Sequence, residues 1–179
     1  MLETIHTGAA SDAPPLLIAH GLFGSARNWG VIAKRLSETR QVLTVDMRNH
    51  GESPWADTHS YADLAQDLAE VIATTGRDVD VLGHSMGGKA AMALALTHPS
   101  LIRRLIIADI APVAYSHTQV HLIAAMRQVD LTKVETRRDA DQQMQSIIPE
   151  DDVRPFLLQS LDVKGKRWRL PLIHIRRCR

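Results

Sequence analysis

Apolar residues fall along this chain in two textures that alternate up to about residue 110. Short unbroken runs at 16–19, 41–46, 79–83 and 105–109 lack the polar alternation of a half-solvated strand and predict buried strands. Between them, 28–36, 61–74 and 88–97 repeat apolar positions at helical spacing. The pattern is clearest in 61–74, where Leu64, Leu68, Val71 and Ile72 share one face. His98-Pro99 stops the third helix. Strand and helix in alternation predict an α/β fold: a mostly parallel sheet with helices on both faces. After Pro112 the texture changes. Three helical patterns (117–129, 133–147 and 151–161) follow with no strand between them, and DVKGKRWRLPLIHIRRCR then shows no clear period. The chain therefore divides into an α/β core over 1–112, a helical insertion over 113–170 and a divergent basic tail over 171–179.

Composition narrows the function classes. Its 179 residues suffice for one domain with a sizeable core and are short for two. Hydrophobic residues at 45% and charged residues at 23% are ordinary for a soluble globular protein. A net charge of +1 supplies no field that would draw in nucleic acid or a membrane surface. The basic residues are uneven, since Lys164, Lys166, Arg167, Arg169, Arg176, Arg177 and Arg179 crowd the end. Cys178 is the only cysteine, so no disulfide forms within one chain. The start has neither the basic nor the apolar segment of a signal peptide, and no apolar stretch is long enough to span a bilayer. The cytoplasm is the expected location.

One stretch carries chemistry. Val79 to Ala90 reads VDVLGHSMGGKA, with Ser85 between Gly83 and Gly87. A strand turning sharply into a helix forces its corner residue into a strained conformation and leaves no room for side chains two positions away. The serine oxygen then stands above the strand end, over a helix N-terminus that favours negative charge. A chance GxSxG occurs in roughly 5% of chains this long, so the motif counts through its context. Two further loops supply that context. AHGLFG follows the 16–19 strand and offers backbone N–H groups for an oxyanion: Leu22 there, and Met86 after the nucleophile. VDMRNHGESP ends the next strand, and its Asp46 and Arg48 are expected to brace a turn rather than touch substrate.

Together LIAHGLFGSARNWG, VDMRNHGESP, GHSMGGKA and IIADIAPVAY resemble the α/β-hydrolase superfamily, and more narrowly its bacterial YbfF-type esterases, over residues 14 to 170. The resemblance implies an α/β-hydrolase fold with a helical lid, Ser85 as nucleophile, and hydrolysis of carboxylic esters or thioesters without metal or organic cofactor. It also implies that the triad acid is Asp109, in ADIAPV at a strand's carboxyl end, where ligands collect in such sheets.

The base is harder to place among the nine histidines. His6 and His20 precede the serine on other elements, and His50 and His59 read as loop residues. His84 is expected to point away from the corner, and His98 to cap a helix. His117 and His121, four apart, have the spacing of metal ligands but no third partner, and read as solvated lid residues. His174 is the remaining candidate, in a segment unlike the family's continuation. The family's base lies in a loop after the last strand, so this chain is expected to be truncated or frameshifted, with its last strands missing. Residues 105–107 would then form an open apolar edge prone to self-association.

Two functional readings follow. One is a serine esterase or thioesterase acting on a small-molecule substrate through an acyl-enzyme, impaired here by the absent histidine. The other is a catalytically silent fragment or binding module that keeps the pocket. Dehalogenase or epoxide-hydrolase chemistry would need an aspartate at position 85. Lys89, near the pocket, is either a contact for an acidic leaving group or a solvated helix lysine.

Overall fold

A computed structural model describes residues 1–115 and 118–172. His117, His174 and the tail over 173–179, with Arg176, Arg177, Cys178 and Arg179, lie outside the described residues.

The strands are β1 (Thr4–Thr7), β2 (Leu16–Ala19), β3 (Val42–Val45), β4 (Val79–His84) and β5 (Ile102–Ala108), in the order β1-β3-β2-β4-β5. Pairings among β2, β3, β4 and β5 are parallel, and β1 joins β3 antiparallel. Leu16 to Ala19 and Val42 to Val45 are buried throughout, in keeping with their unbroken apolar runs. The sequence pattern does not foresee β1, whose Thr and His positions look solvated because this edge strand is itself half exposed.

Helix α1 (Gly30–Leu36) follows a 3₁₀ turn at Ala26–Trp29. It covers one face of the sheet, where Ala33 and Trp29 pack on Leu16, Ile18, Val42 and Leu82. Helices α2 (Tyr61–Ala73) and α3 (Met86–Thr97) cover the other. There Leu64, Leu68, Val71 and Ile72 meet Ala90, Ala91 and Leu94 over Leu17, Leu43 and Val81. The start of α2 is fixed by a capping box, in which the Ser60 hydroxyl accepts from the Asp63 N–H while Asp63 accepts from the Ser60 N–H. At the sheet's other end, buried Asp80 accepts from Arg40 (2.7 Å) and Arg103 (2.9 Å).

Strand β5 is not the buried strand read at 105–109 but an edge strand, as the open edge expected at 105–107 requires. It begins at Ile102, earlier than the apolar run suggests, and among the described residues pairs with β4 alone. Leu105 is 37% and Ile106 46% exposed. Its charged Arg103 and Arg104 belong to the strand because that edge faces water and because Arg103 reaches Asp80.

The segment after β5 folds around a second core. Helices α4 (Val120–Gln128), α5 (Arg137–Met144) and α6 (Val153–Leu158) bury Ile123, Met126, Ala140, Met144 and Leu157. Arg154 is buried among them, donating to Asp141 (2.8 Å), Asp151 (2.7 Å) and the Ile148 carbonyl (2.8 Å). A short hairpin of β6 (Leu161–Asp162) and β7 (Arg167–Trp168) closes this unit in the stretch that has no sequence period. Among the described residues, no helix is long and apolar enough to cross a membrane.

Candidate active site

Strand β4 runs into α3 through Ser85, the residue at the corner. Its φ of 51° and ψ of −115° lie where a residue with a β-carbon pays about 1–3 kcal/mol of strain. Two backbone hydrogen bonds hold it there: the Ser85 N–H donates to the Ala108 carbonyl (3.0 Å), and the Lys89 N–H donates to the Ser85 carbonyl (3.1 Å). The flanking glycines are steric requirements. A β-carbon on Gly83 would lie 2.4 Å from the Gly87 carbonyl oxygen, and one on Gly87 would lie 2.4 Å from that of Ala19. The first turn of α3 is thus pressed against the end of β2, with Met86 buried as its first residue. Met86's N–H is among the first N–H groups of α3, which lack intrahelical acceptors.

The loop after β2 lies against this corner. A β-carbon on Gly21 would be 3.1 Å from that of Ser85, which places Leu22 next to the serine. Residues 21–24 form a turn closed by the Gly24 N–H donating to the Gly21 carbonyl (3.0 Å). Phe23, at its third position, has a φ of 66°, a place where glycine is normally favoured. Leu22 packs between the sheet core and the helical core.

Three histidines support that loop from beneath, a feature that sequence reading missed. His20, His50 and His59 are all buried, with ring centroids 5.1 and 5.7 Å apart in succession. The Met47 N–H donates to His20 Nε2 (3.0 Å), so the proton of the neutral ring sits on Nδ1 and is donated to the Gly21 carbonyl (2.7 Å). Likewise the Phe23 N–H donates to His50 Nε2 (3.4 Å), while His50 Nδ1 donates to the Arg48 carbonyl (2.9 Å). Burial lowers the His20 pKa to about 4 and holds His50 well below the ordinary imidazole value. Both rings therefore stay neutral and keep one acceptor nitrogen. A trans peptide points its C=O and N–H in opposite directions. Two donors fixing the Gly21 carbonyl thereby fix the Leu22 N–H.

The loop after β3 braces the same region. Asp46 accepts from the N–H groups of Ala26 (2.7 Å) and Glu52 (2.9 Å), and Arg48 donates to Asp67 (2.5 and 2.8 Å) on α2.

Asp109 follows β5 with a φ of 55°, at the same end of the sheet as Ser85. Its side chain is 86% exposed, and the imidazole facing it belongs to His84, with Nε2 3.7 Å from Oδ2. The expectation that His84 points away from the corner did not place its ring beside Asp109. Side chains alternate along β4, which sends His84 to the face of Leu82 and Trp29. Beyond the strand's end its ring stands edge-on to Trp29 (6.0 Å), beside Gly21 and within reach of Asp109. Lys89 is occupied locally: it donates to the Val113 carbonyl (2.8 Å) and lies 4.7 Å over the Tyr115 ring, tying the Asp109 loop to α3.

The helical unit meets the core beside the Leu22 loop. Ser160 Oγ donates to the Phe23 carbonyl (3.1 Å), Asn28 donates to Gln159, and Arg169 pairs with Glu52 (2.6 Å).

Comparison with known proteins agrees with this architecture. Residues 14–160 match the model of the alpha/beta hydrolase fold family. The chain is 43% identical over 171 residues to an sn-1-specific diacylglycerol lipase, ABHD11, of Mus musculus, covering 89% of this chain and 55% of that one. It is 39% identical over 162 residues to Esterase YbfF of Escherichia coli K12, covering 89% of this chain and 63% of that one. Among solved structures, a marine microorganism esterase superposes with a TM-score of 0.90 at 38% identity, over 97% of this chain and 70% of that one. The chain thus spans about half to two thirds of the length of the curated relatives it matches.

Proposed function

Because the chain belongs to the α/β-hydrolase fold family, we propose that it acts as a serine hydrolase on carboxylic esters or thioesters. Ser85 attacks the acyl carbon, and the N–H groups of Leu22 and Met86 receive the carbonyl oxygen as it becomes negative. Asp109 is the acid that would steady an imidazole taking the Ser85 proton; that base is assigned to no described residue, so turnover by this chain is expected to be impaired. The acyl C–O or C–S bond breaks, the alcohol or thiol leaves with that proton, and water then releases the acid from the acyl-enzyme. The observation that carries this reading is the held conformation of Ser85, at φ 51° between two glycines that admit no β-carbon. Preorganised N–H donors of this kind supply a few kcal/mol at the transition state. The names of the relatives, esterases and a lipase, favour ester substrates.

A second reading rests on Asp109. Its side chain lies largely in water and faces His84. An acid placed so gives Ser85 no oriented base, and the chain would then bind acyl groups without turnover. Loss of the base alone can cost on the order of 10⁶ in turnover.

The deciding experiment is hydrolysis of p-nitrophenyl butyrate by the 179-residue chain beside its Ser85→Ala variant. Turnover that vanishes in the variant carries the hydrolase reading. Equal, near-background rates in the two proteins carry the binding reading.

A further inference from the structure

We propose that Phe23 is a clasp through which the helical unit sets the oxyanion loop, with Ser160 and His50 as positioning residues acting through it. The proposal rests on the reading of Leu22 as an oxyanion donor. Phe23 is gripped at three points by two parts of the chain, the helical unit and the loop after β3. Its side chain is buried in the core of the helical unit, with Met126, Leu157 and Trp168, although Phe23 itself belongs to the loop after β2. Its N–H donates to His50 Nε2, from the loop after β3. Its carbonyl accepts from Ser160 Oγ, a buried hydroxyl between α6 and β6.

The backbone conformation explains why three grips are needed. A φ of 66° is unfavourable for phenylalanine, and an unrestrained chain would relax to negative φ. Relaxation would open the turn closed by Gly24 N–H on the Gly21 carbonyl. That carbonyl shares its peptide plane with the Leu22 N–H, so opening the turn re-aims the donor. The seat of the helical unit on the core is thereby coupled to oxyanion geometry.

The test compares Ser160→Ala, Ser160→Thr and Ser85→Ala in the whole chain. Amide hydrogen exchange at Phe23 and Gly24 is read by NMR, with Val81 in β4 as the internal reference for global opening. Ser160→Ala should speed exchange at Phe23 and Gly24 about tenfold relative to Val81, and Ser160→Thr should restore the slow rate. Where the chain turns over p-nitrophenyl butyrate, Ser160→Ala should lower kcat about tenfold with KM within about twofold, because an aimed donor acts in the transition state. Exchange at Phe23 and Gly24 that moves only in step with Val81, or a loss falling wholly on KM, overturns the clasp. Ser85→Ala should leave both exchange rates unchanged. Hydrolysis that persists in Ser85→Ala defeats the nucleophile assignment, while the exchange rates still judge the clasp.

Discussion

Two loops leave the same end of the sheet, and they are held in opposite ways. The loop after β2 carries Leu22 and is fixed by His20, His50, the Gly24 turn and the helical unit, nearly all of it buried. The loop after β5 carries Asp109, whose carboxylate faces water apart from a 3.7 Å approach to His84. Both use a non-glycine residue at positive φ, Phe23 in one and Asp109 in the other. Only the first is over-determined by its surroundings. Strain persists where neighbouring groups enforce it, and preorganised electrostatics requires such enforcement. The described residues thus build the oxyanion side of the site to a higher standard than the acid side.

Substitutions at the corner should break this contrast most severely. Gly87→Ala puts a β-carbon 2.4 Å from the Ala19 carbonyl oxygen and 2.6 Å from that of His20, both of them backbone. It should cost about 4 kcal/mol in chemical denaturation. A loss below about 1 kcal/mol would show that β2 and α3 are not tightly apposed.

Acid should loosen the buried side next. The folded pKa of His20 is lowered to about 4 from an unfolded value near 6.5, and that of His50 is lowered too, in both cases first by burial. Between these values the unfolded chain binds the protons and the folded chain does not. Stability is therefore full above about pH 6.5 and declines as pH falls toward 4, by on the order of 3 kcal/mol from His20 alone. Asp80 acts elsewhere on the scale. Burial pushes its pKa up, Arg103 and Arg40 pull it further down, and the net position is below 3.8, so its share is lost only in stronger acid. Urea midpoints at pH 7, 5.5 and 4.5 check this, and His20→Gln should flatten the profile in that range.

The smallest effect is expected at the exposed edge. We propose that β5, with Leu105 and Ile106 partly in water, pairs with a second chain. Sedimentation at rising concentration should reveal association, and Ile106→Lys should weaken it about tenfold or more. A monomer at all concentrations would remove the proposal.

Much of the corner was legible in the sequence because backbone packing dictates its residue types. Gly83 and Gly87 are required by approaches of 2.4 Å, and such requirements leave glycines at fixed spacing. Strands β2, β3 and β4 were legible because burial on both faces leaves unbroken apolar runs. The histidine cluster was not. NHGESP is polar in composition, and only the tertiary fold turns His50 inward to lie between His20 and His59. A glycine-rich loop with histidine after each of two neighbouring strands was the available signal. The place of the His84 ring beside Asp109 was lost for a different reason, since it follows from the alternation of β4 and the position of Trp29 rather than from the motif around Ser85. Strands of two residues, as in β6 and β7, leave no period to read.

The hydrogen bond from Ser160 to Phe23 joins residues 137 positions apart. Translation supplies about 5 to 20 residues per second, so on the ribosome Phe23 precedes Ser160 by roughly 7 to 27 s. Strands β1 and β2 precede Phe23, and β3 and β4 follow it well before Ser160, so these strands can pair early. The aromatic ring that later sits in the second core meanwhile has no such core to enter. The loop beside the nucleophile is thus completed late in synthesis, and nascent chains shorter than about 160 residues carry Ser85 without its finished surroundings.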